Sequence, residues 1–305
     1  MISLRYHAVS IAAVFLALAI GIVVGSSGVS DRLLGAVSNE RDSLGGKVAQ
    51  LTAERDSLAA AQRSSDEFAK RIGPGAVRGL LTGQTVTLVT SGADPADRDA
   101  VTTLIKQAGA TVTGEVALTA AVGDPGRADQ LRALAAQLLP AGAKLPAASD
   151  AGTLAGGLLG GVLLAPGATP DQARSVLTGL ASAGFVRPGD VPARANLAIV
   201  LTGGALTGVD AGDAAAIVAR LAAALDRAGG GGAVLAGRAG SADATGVVGV
   251  ARADPSITNG LSTVDDLQTG SGQLSAVLAL REQLDGRAGR YGTAVTAADG
   301  AAPAA

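Results

Sequence analysis

The chain has 305 residues, a formal net charge of −2, 48% apolar residues and only 2% aromatics, so a core must come from Ala, Val, Leu and Ile. It has no cysteine, one histidine (His7) and one methionine (Met1), which excludes disulfides, thiolate chemistry, His-dependent triads and imidazole ligation from its main body. The balanced charge and lack of aromatic platforms also exclude a nucleic-acid partner, which would need a basic patch for counterion release.

From Ala8 to Gly25 runs AVSIAAVFLALAIGIVVG, eighteen residues without a charge. As a helix it is about 27 Å long, close to the hydrocarbon thickness of a bilayer. Ala8, Phe15, Leu18, Ile20 and Val24 mark this transmembrane anchor, residues 8–25. Arg5 and the amino terminus precede it and favour a short cytoplasmic segment over residues 1–7, although Arg32 and Arg41 follow soon after. A cleaved signal peptide ending near Gly25-Ser26-Ser27-Gly28 is the alternative. Its apolar core would span only about 7–15 residues, so the length favours an uncleaved anchor.

Val37, Leu44, Leu51 and Leu58 then recur every seven residues, with Ile72 in phase and Ser65 a gap. With these at d, the a positions are Leu34, Arg41, Val48, Arg55, Gln62 and Ala69. The repeat predicts a parallel coiled coil over residues 30–72, with Leu34, Val37, Leu44, Val48, Leu51 and Leu58 as its seam. Polar a residues weaken such a seam while fixing register, and Gly45-Gly46 is a local weak spot. A single helix folded back on its own domain is the alternative, but it would show a broader apolar face. The expected result is a homo-oligomer joined through residues 34–72, a stalk about 58 Å long that Gly73-Pro74-Gly75 ends.

Residues 80–293 alternate strand and helix signals. Thr85–Thr90, Thr111–Leu118, Leu197–Thr202, Ala233–Ala236 and Val247–Ala251 read as strands. Pro95–Gly109, Pro125–Leu139, Pro170–Gly184, Ala211–Ala228 and Gly272–Leu284 read as helices. Short apolar strands between helices predict an α/β domain, Rossmann-like, with a mostly parallel sheet covered on both faces. The Ala-rich tail, residues 294–305, is expected to be disordered. Residues 151–170 carry no charge before Pro170 and place glycines at 152, 156 and 160, a G-x-x-x-G spacing used by membrane helices. Five glycines and a proline dilute its first part, AGTLAGGLLGGVLLAP (residues 151–166), so a buried element of the soluble domain is the preferred reading over a second span.

Motifs that carry chemistry are scarce. Gly203–Gly208 (GGALTG) lies where phosphate loops lie, but it lacks the Lys-Ser/Thr of a P-loop and reads as a turn. Asp94 with Asp97, and Asp265 with Asp266, are carboxylate pairs that could bind a hard cation, but their ordinary role is to cap helix starts, and that reading is preferred. No catalytic, cofactor or metal site emerges, and the chain reads as a non-enzyme.

Two stretches carry a resemblance. MISLRYHAVSIAAVFLALAIGIVVGS leading into a heptad segment, and Ser262–Thr293 (STVDDLQTGSGQLSAVLALREQLDGRAGRYGT), resemble the opening and the closing signature of the MctB family of actinobacterial copper transport proteins. The resemblance implies a cell-envelope membrane protein serving copper efflux or homeostasis, assigned to the outer membrane, with copper ions as cargo. Cu(I) prefers thiolate, thioether or imidazole donors, which this chain lacks beyond position 7, so the implied role is an indirect one or one within an assembly. The residues themselves place the bulk of the chain outside the cytoplasm, beyond a single span of the cell membrane. The second hypothesis is a coiled-coil scaffold that recruits an envelope or division protein as partner.

Overall fold

A computed structural model describes residues 4–26, 30–164 and 168–303, leaving aside the side chains at positions 4, 26 and 30–39. The chain divides into two compact units, residues 1–63 and residues 64–305.

In the first unit, α1 (Leu4–Ser26) contains the uncharged run, and none of its Arg5–Gly25 window is buried. Phe15, Leu18, Ile20 and Val24 are more than half exposed. Among the described residues one helix is therefore long and apolar enough to cross a bilayer. Helix α2 (Ser30–Ala76) carries the heptads. Leu44, Val48, Leu51 and Leu58 are all exposed along it, while the side chains of Leu34 and Val37 lie outside the described residues.

The helix does not stop at Gly73-Pro74-Gly75 as expected; it includes Pro74 and ends at Ala76. Packing explains the extension. Val77 and Leu81 are fully buried just beyond it, and the Val77 amide still donates to the Gly73 carbonyl at 3.0 Å. The chain turns only where Gly79 adopts φ +82°, a left-handed conformation costly for other residues.

The second unit is built on a six-stranded sheet in the order β2-β1-β3-β4-β5-β6, parallel at every pairing. Its strands are β1 (Thr85–Ser91), β2 (Thr111–Leu118), β3 (Leu197–Thr202), β4 (Ala233–Gly237), β5 (Ser262–Val264) and β6 (Arg290–Tyr291). Side chains alternate across it. Leu88, Leu197, Ile199 and Leu201 pack on α3 (Pro95–Gln107) and α10 (Gly270–Leu284). Val89, Ala198 and Val200 belong to the opposite layer, with α5 (Ala151–Leu163), α7 (Ala211–Ala228) and α8 (Val247–Ala253). The order places β1 beside β3 and reverses there, the doubly wound 2-1-3-4-5 arrangement and not the 3-2-1-4-5-6 of the dinucleotide-binding fold.

Four expectations need correction. Val247–Ala251 is helical, because a parallel sheet needs a crossover between β4 and β5 and this segment starts it. The expected helix at Pro125–Leu139 is a 3₁₀ turn, Pro125–Arg127, followed by α4 (Ala128–Gln137). The two shortest strands, β5 and β6, gave no recognisable run and exist only through pairing. The tail is not disordered over its described part: Ser275 donates to the Ala301 carbonyl at 2.8 Å, and the Arg290 amide to Asp299 at 2.9 Å.

The glycine stripe has a packing role. Helix α5 has only thirteen residues, about 20 Å, too short for a bilayer, and it lies buried against α7. A Cβ added at Gly152 would stand 2.2 Å from the Ile217 carbonyl oxygen, and at Gly156 2.3 Å from that of Leu221. At Gly160 it would meet the Ala228 methyl at 2.3 Å. The stripe lets two helix backbones touch, the geometry that such spacings supply within membranes. Gly156→Ala should therefore lower stability by about 1–3 kcal/mol through overpacking. Gly161→Ala has nothing within 4 Å and should be neutral or stabilising by up to about 1 kcal/mol. Denaturant unfolding of the two variants, followed by circular dichroism, separates them.

Candidate functional site

The closing signature builds a buried polar node at the β5–β6 end of the sheet. Arg252, in the last turn of α8, and Asp265, just after β5, form an ion pair at 2.6 Å, with side chains only 2% and 4% exposed. A buried guanidinium is stable only when all its donors are met. Here Nε donates to Thr263 Oγ1 at 3.0 Å, Nη1 to Asp265 and to Thr296 Oγ1, and Nη2 to the carbonyls of Thr263 and Tyr291. The other Asp265 oxygen accepts from the amides of Thr293 at 2.7 Å and Ala294 at 3.2 Å. The pair therefore fastens together α8, β5, the end of β6 and the start of the tail.

Asp266 stands next to this node in a harsher setting. Its φ of +61° is left-handed, which Asp tolerates better than most residues. Its backbone carbonyl accepts from the amide and hydroxyl of Thr269, and Thr269 in turn caps α10 by accepting from the Gly272 amide. Oδ1 is buried without a donor. Burial first, then the neighbouring Asp265 charge, pushes the Asp266 carboxyl up to about 6. Gly270 begins α10 where a Cβ would meet Ala69 and the Asp66 carbonyl at 3.0 Å, and its amide donates to Asp66 Oδ1. The T-G-S-G of the signature is thus a notch for the last turns of α2.

A second polar group sits at the carboxyl edge of the sheet. Asp94 caps α3 as expected, accepting from the Ala96 amide at 2.8 Å, and also accepts from Arg238 at 2.8 Å. Asp97 is buried, and Arg238 Nε lies 2.8 Å from its Oδ2 at an angle too poor for a hydrogen bond. Burial above all, opposed by Arg238, raises the Asp97 carboxyl from its ordinary range. Between these loops, Gly203 and Gly204 pass close to the carbonyls of Gly92 and Ala239; a Cβ on either would come within 2.9 Å. The glycines of GGALTG therefore serve loop packing, which agrees with the turn reading.

Sequence reasoning gave Asp265-Asp266 a capping role. The structure gives Asp265 an ion-pair role, and the missed partner is Arg252, an unremarkable arginine thirteen positions earlier in the chain. Among the described residues no group of three or more His, Cys, Asp or Glu side chains gathers as a metal site. Nor are the exposed heptad residues part of any polar site; they form an apolar stripe on α2.

The family model described as "Copper transport outer membrane protein, MctB" matches residues 1–302. The chain belongs to the MctB family. Proteins named copper transporter MctB from Mycobacterium tuberculosis and Mycobacterium bovis are each 41% identical to it over 305 residues. The Mycobacterium leprae protein of that name is 38% identical over 307 residues. In each case 96% of both chains is covered. The family match thus runs from one end signature to the other, a span that contains Arg252 and Asp265.

Two measurements test this node. Arg252→Met leaves Asp265 buried and unpaired and should cost about 3–5 kcal/mol of unfolding free energy. Asp266 has a folded pKa above its unfolded one, so the stability it contributes is full below about pH 4 and falls as pH rises through about 6. The loss amounts to about 2–3 kcal/mol. Asp266→Asn keeps the left-handed backbone and should remove that fall, so thermal midpoints of variant and parent should diverge between pH 4 and pH 7.

Proposed function

We propose that this MctB-family chain is a non-enzymatic, membrane-anchored and oligomeric subunit of a copper-efflux assembly, in which another component provides the metal ligands. The observation that carries the copper role is the full-length match to proteins named copper transporters. What favours a supporting role is the donor set: no cysteine, one methionine and one histidine, both of these in the first seven residues. Carboxylates alone make a weak and unselective copper path.

The anchoring reading rests on α1, whose exposed apolar side chains suit lipid, with Arg5 on the side that stays cytoplasmic. The rest of the chain then lies outside the cytoplasm. The family's description names the outer membrane, and a helical anchor of this kind is equally suited to the inner one. A six-stranded parallel sheet clothed by helices on both faces is a soluble architecture, so α1 is the segment we assign to the bilayer. The oligomer reading rests on Leu44, Leu51 and Leu58, exposed by 56%, 64% and 72% at seven-residue spacing, the pattern of a seam awaiting other helices. Copies joined in this way would present several α/β domains to one envelope partner.

Cell-associated copper under copper load, measured by elemental analysis, tests the proposal. A strain lacking the protein should accumulate copper, and the wild-type gene should reverse this. The triple variant Leu44→Asp, Leu51→Asp, Leu58→Asp should sediment as a monomer in detergent and fail to reverse it. Equal copper in the deletion and parent strains would remove the copper reading; an unchanged sedimentation profile would remove the seam.

A further inference from the structure

A cleft of about 730 Å³ opens at the carboxyl edge of the sheet, reaching from Gly92 after β1 to the loop that follows β3. This is where the strand order reverses, and open α/β sheets take ligands outside the strand ends at such a reversal. The volume falls within the range of small-molecule sites, about 300–1,000 Å³. Leu118, Leu206 and Val218 give it apolar walls, and Val209 stands at its mouth 99% exposed.

Three charged side chains line the cleft, and together they restrict what fits. Arg187 follows Val186, which is bridged to Leu118 at the end of β2. The Arg187 amide donates to the Ala117 carbonyl at 2.8 Å, which holds its backbone in place. Its guanidinium makes no hydrogen bond or ion pair among the described residues. Asp124 uses one oxygen to accept from the Gly126 amide at 2.8 Å, so the other is free. Asp210 occupies the N-cap position of α7 but forms no capping bond with its side chain. An anion would find one cation and two carboxylates here, and a cation would find the guanidinium. A molecule with both charges and an apolar body satisfies all three and leaves no ion unpaired.

We propose that this cleft binds a short zwitterionic peptide with apolar side chains, its carboxylate on Arg187 and its ammonium group toward Asp124 and Asp210. The site is separate from the Arg252 node and does not depend on the copper role. Calorimetric titration of the full-length protein in detergent with the dipeptide Leu-Leu tests it, beside N-acetyl-Leu-Leu and Leu-leucinamide, each of which lacks one charge. Leu-Leu should bind saturably, and each blocked peptide roughly tenfold or more weakly, as expected for loss of one charge-assisted pair. Arg187→Gln should erase the preference for carboxylate over amide, and Asp210→Asn should narrow the preference for free over acetylated amine. Both residues are exposed, so both variants should melt with the parent protein. Absence of saturable heat with Leu-Leu, equal binding of the blocked peptides, or an undiminished carboxylate preference in Arg187→Gln would each overturn the proposal.

Discussion

A core almost without aromatics has to gain its burial from backbones that come very close, and this constraint shapes the α/β unit. Phe185 and Tyr291 are the only aromatic side chains among the buried residues described, and the remaining core is aliphatic. Small side chains each remove little apolar area, so stability has to come from many short contacts at close-packed density. The α5–α7 pair is the clearest case: of three glycines set four residues apart, two let a carbonyl of the facing helix, and the third an alanine methyl, sit where a side chain would otherwise be. Gly203 and Gly204 do the same between neighbouring loops, and Gly270 does it for α2. The glycine content that could suggest flexibility is largely spent on tight packing.

The polar counterpart is the Arg252–Asp265 pair. Burying two charges gains little over apolar residues in stability, but a satisfied pair enforces one arrangement of the groups around it. It ties α8, β5, β6 and the tail, and the strands concerned are only three and two residues long. Strands this short hold their register poorly by ladder bonds alone. The strained, partly unsatisfied Asp266 is tolerated because the turn it makes delivers Thr269 and Gly270 to the start of α10.

Both features bear on copper. Neither the core nor the node offers a soft donor, and Asp94, Asp97 and Asp265 are committed to arginines or to a helix cap. Membership of a family named for copper transport and a chain poor in copper ligands are compatible when the chain acts as an anchored organiser, with the metal carried by its neighbours. The exposed heptad stripe and the apolar helix α1 are the surfaces through which such an organiser would work.

Much of this was legible in the sequence, for identifiable reasons. The uncharged run of α1, the heptads of α2, and β2, β3 and α7 at both of their ends follow from local patterns of hydrophobicity and helix boundaries. The capping role of Asp94 and the turn at GGALTG were also local matters. What was illegible depended on partners far away in the chain. Val247–Ala251 looks like a strand and is a helix because of what lies on either side of it; β5 is a strand only because β4 stands beside it, and β6 only because β5 does. Pro74 is held within a helix by burial of the residues that follow. The cleft beside Arg187 and the pairing of Arg252 with Asp265 join residues that no short-range pattern connects. By itself the sequence determined the longer, strongly patterned helices and strands and the lack of thiol donors, because those depend on residue type and period. Only the tertiary structure decided which charges meet and which glycines touch, because those depend on distances set by the whole sheet.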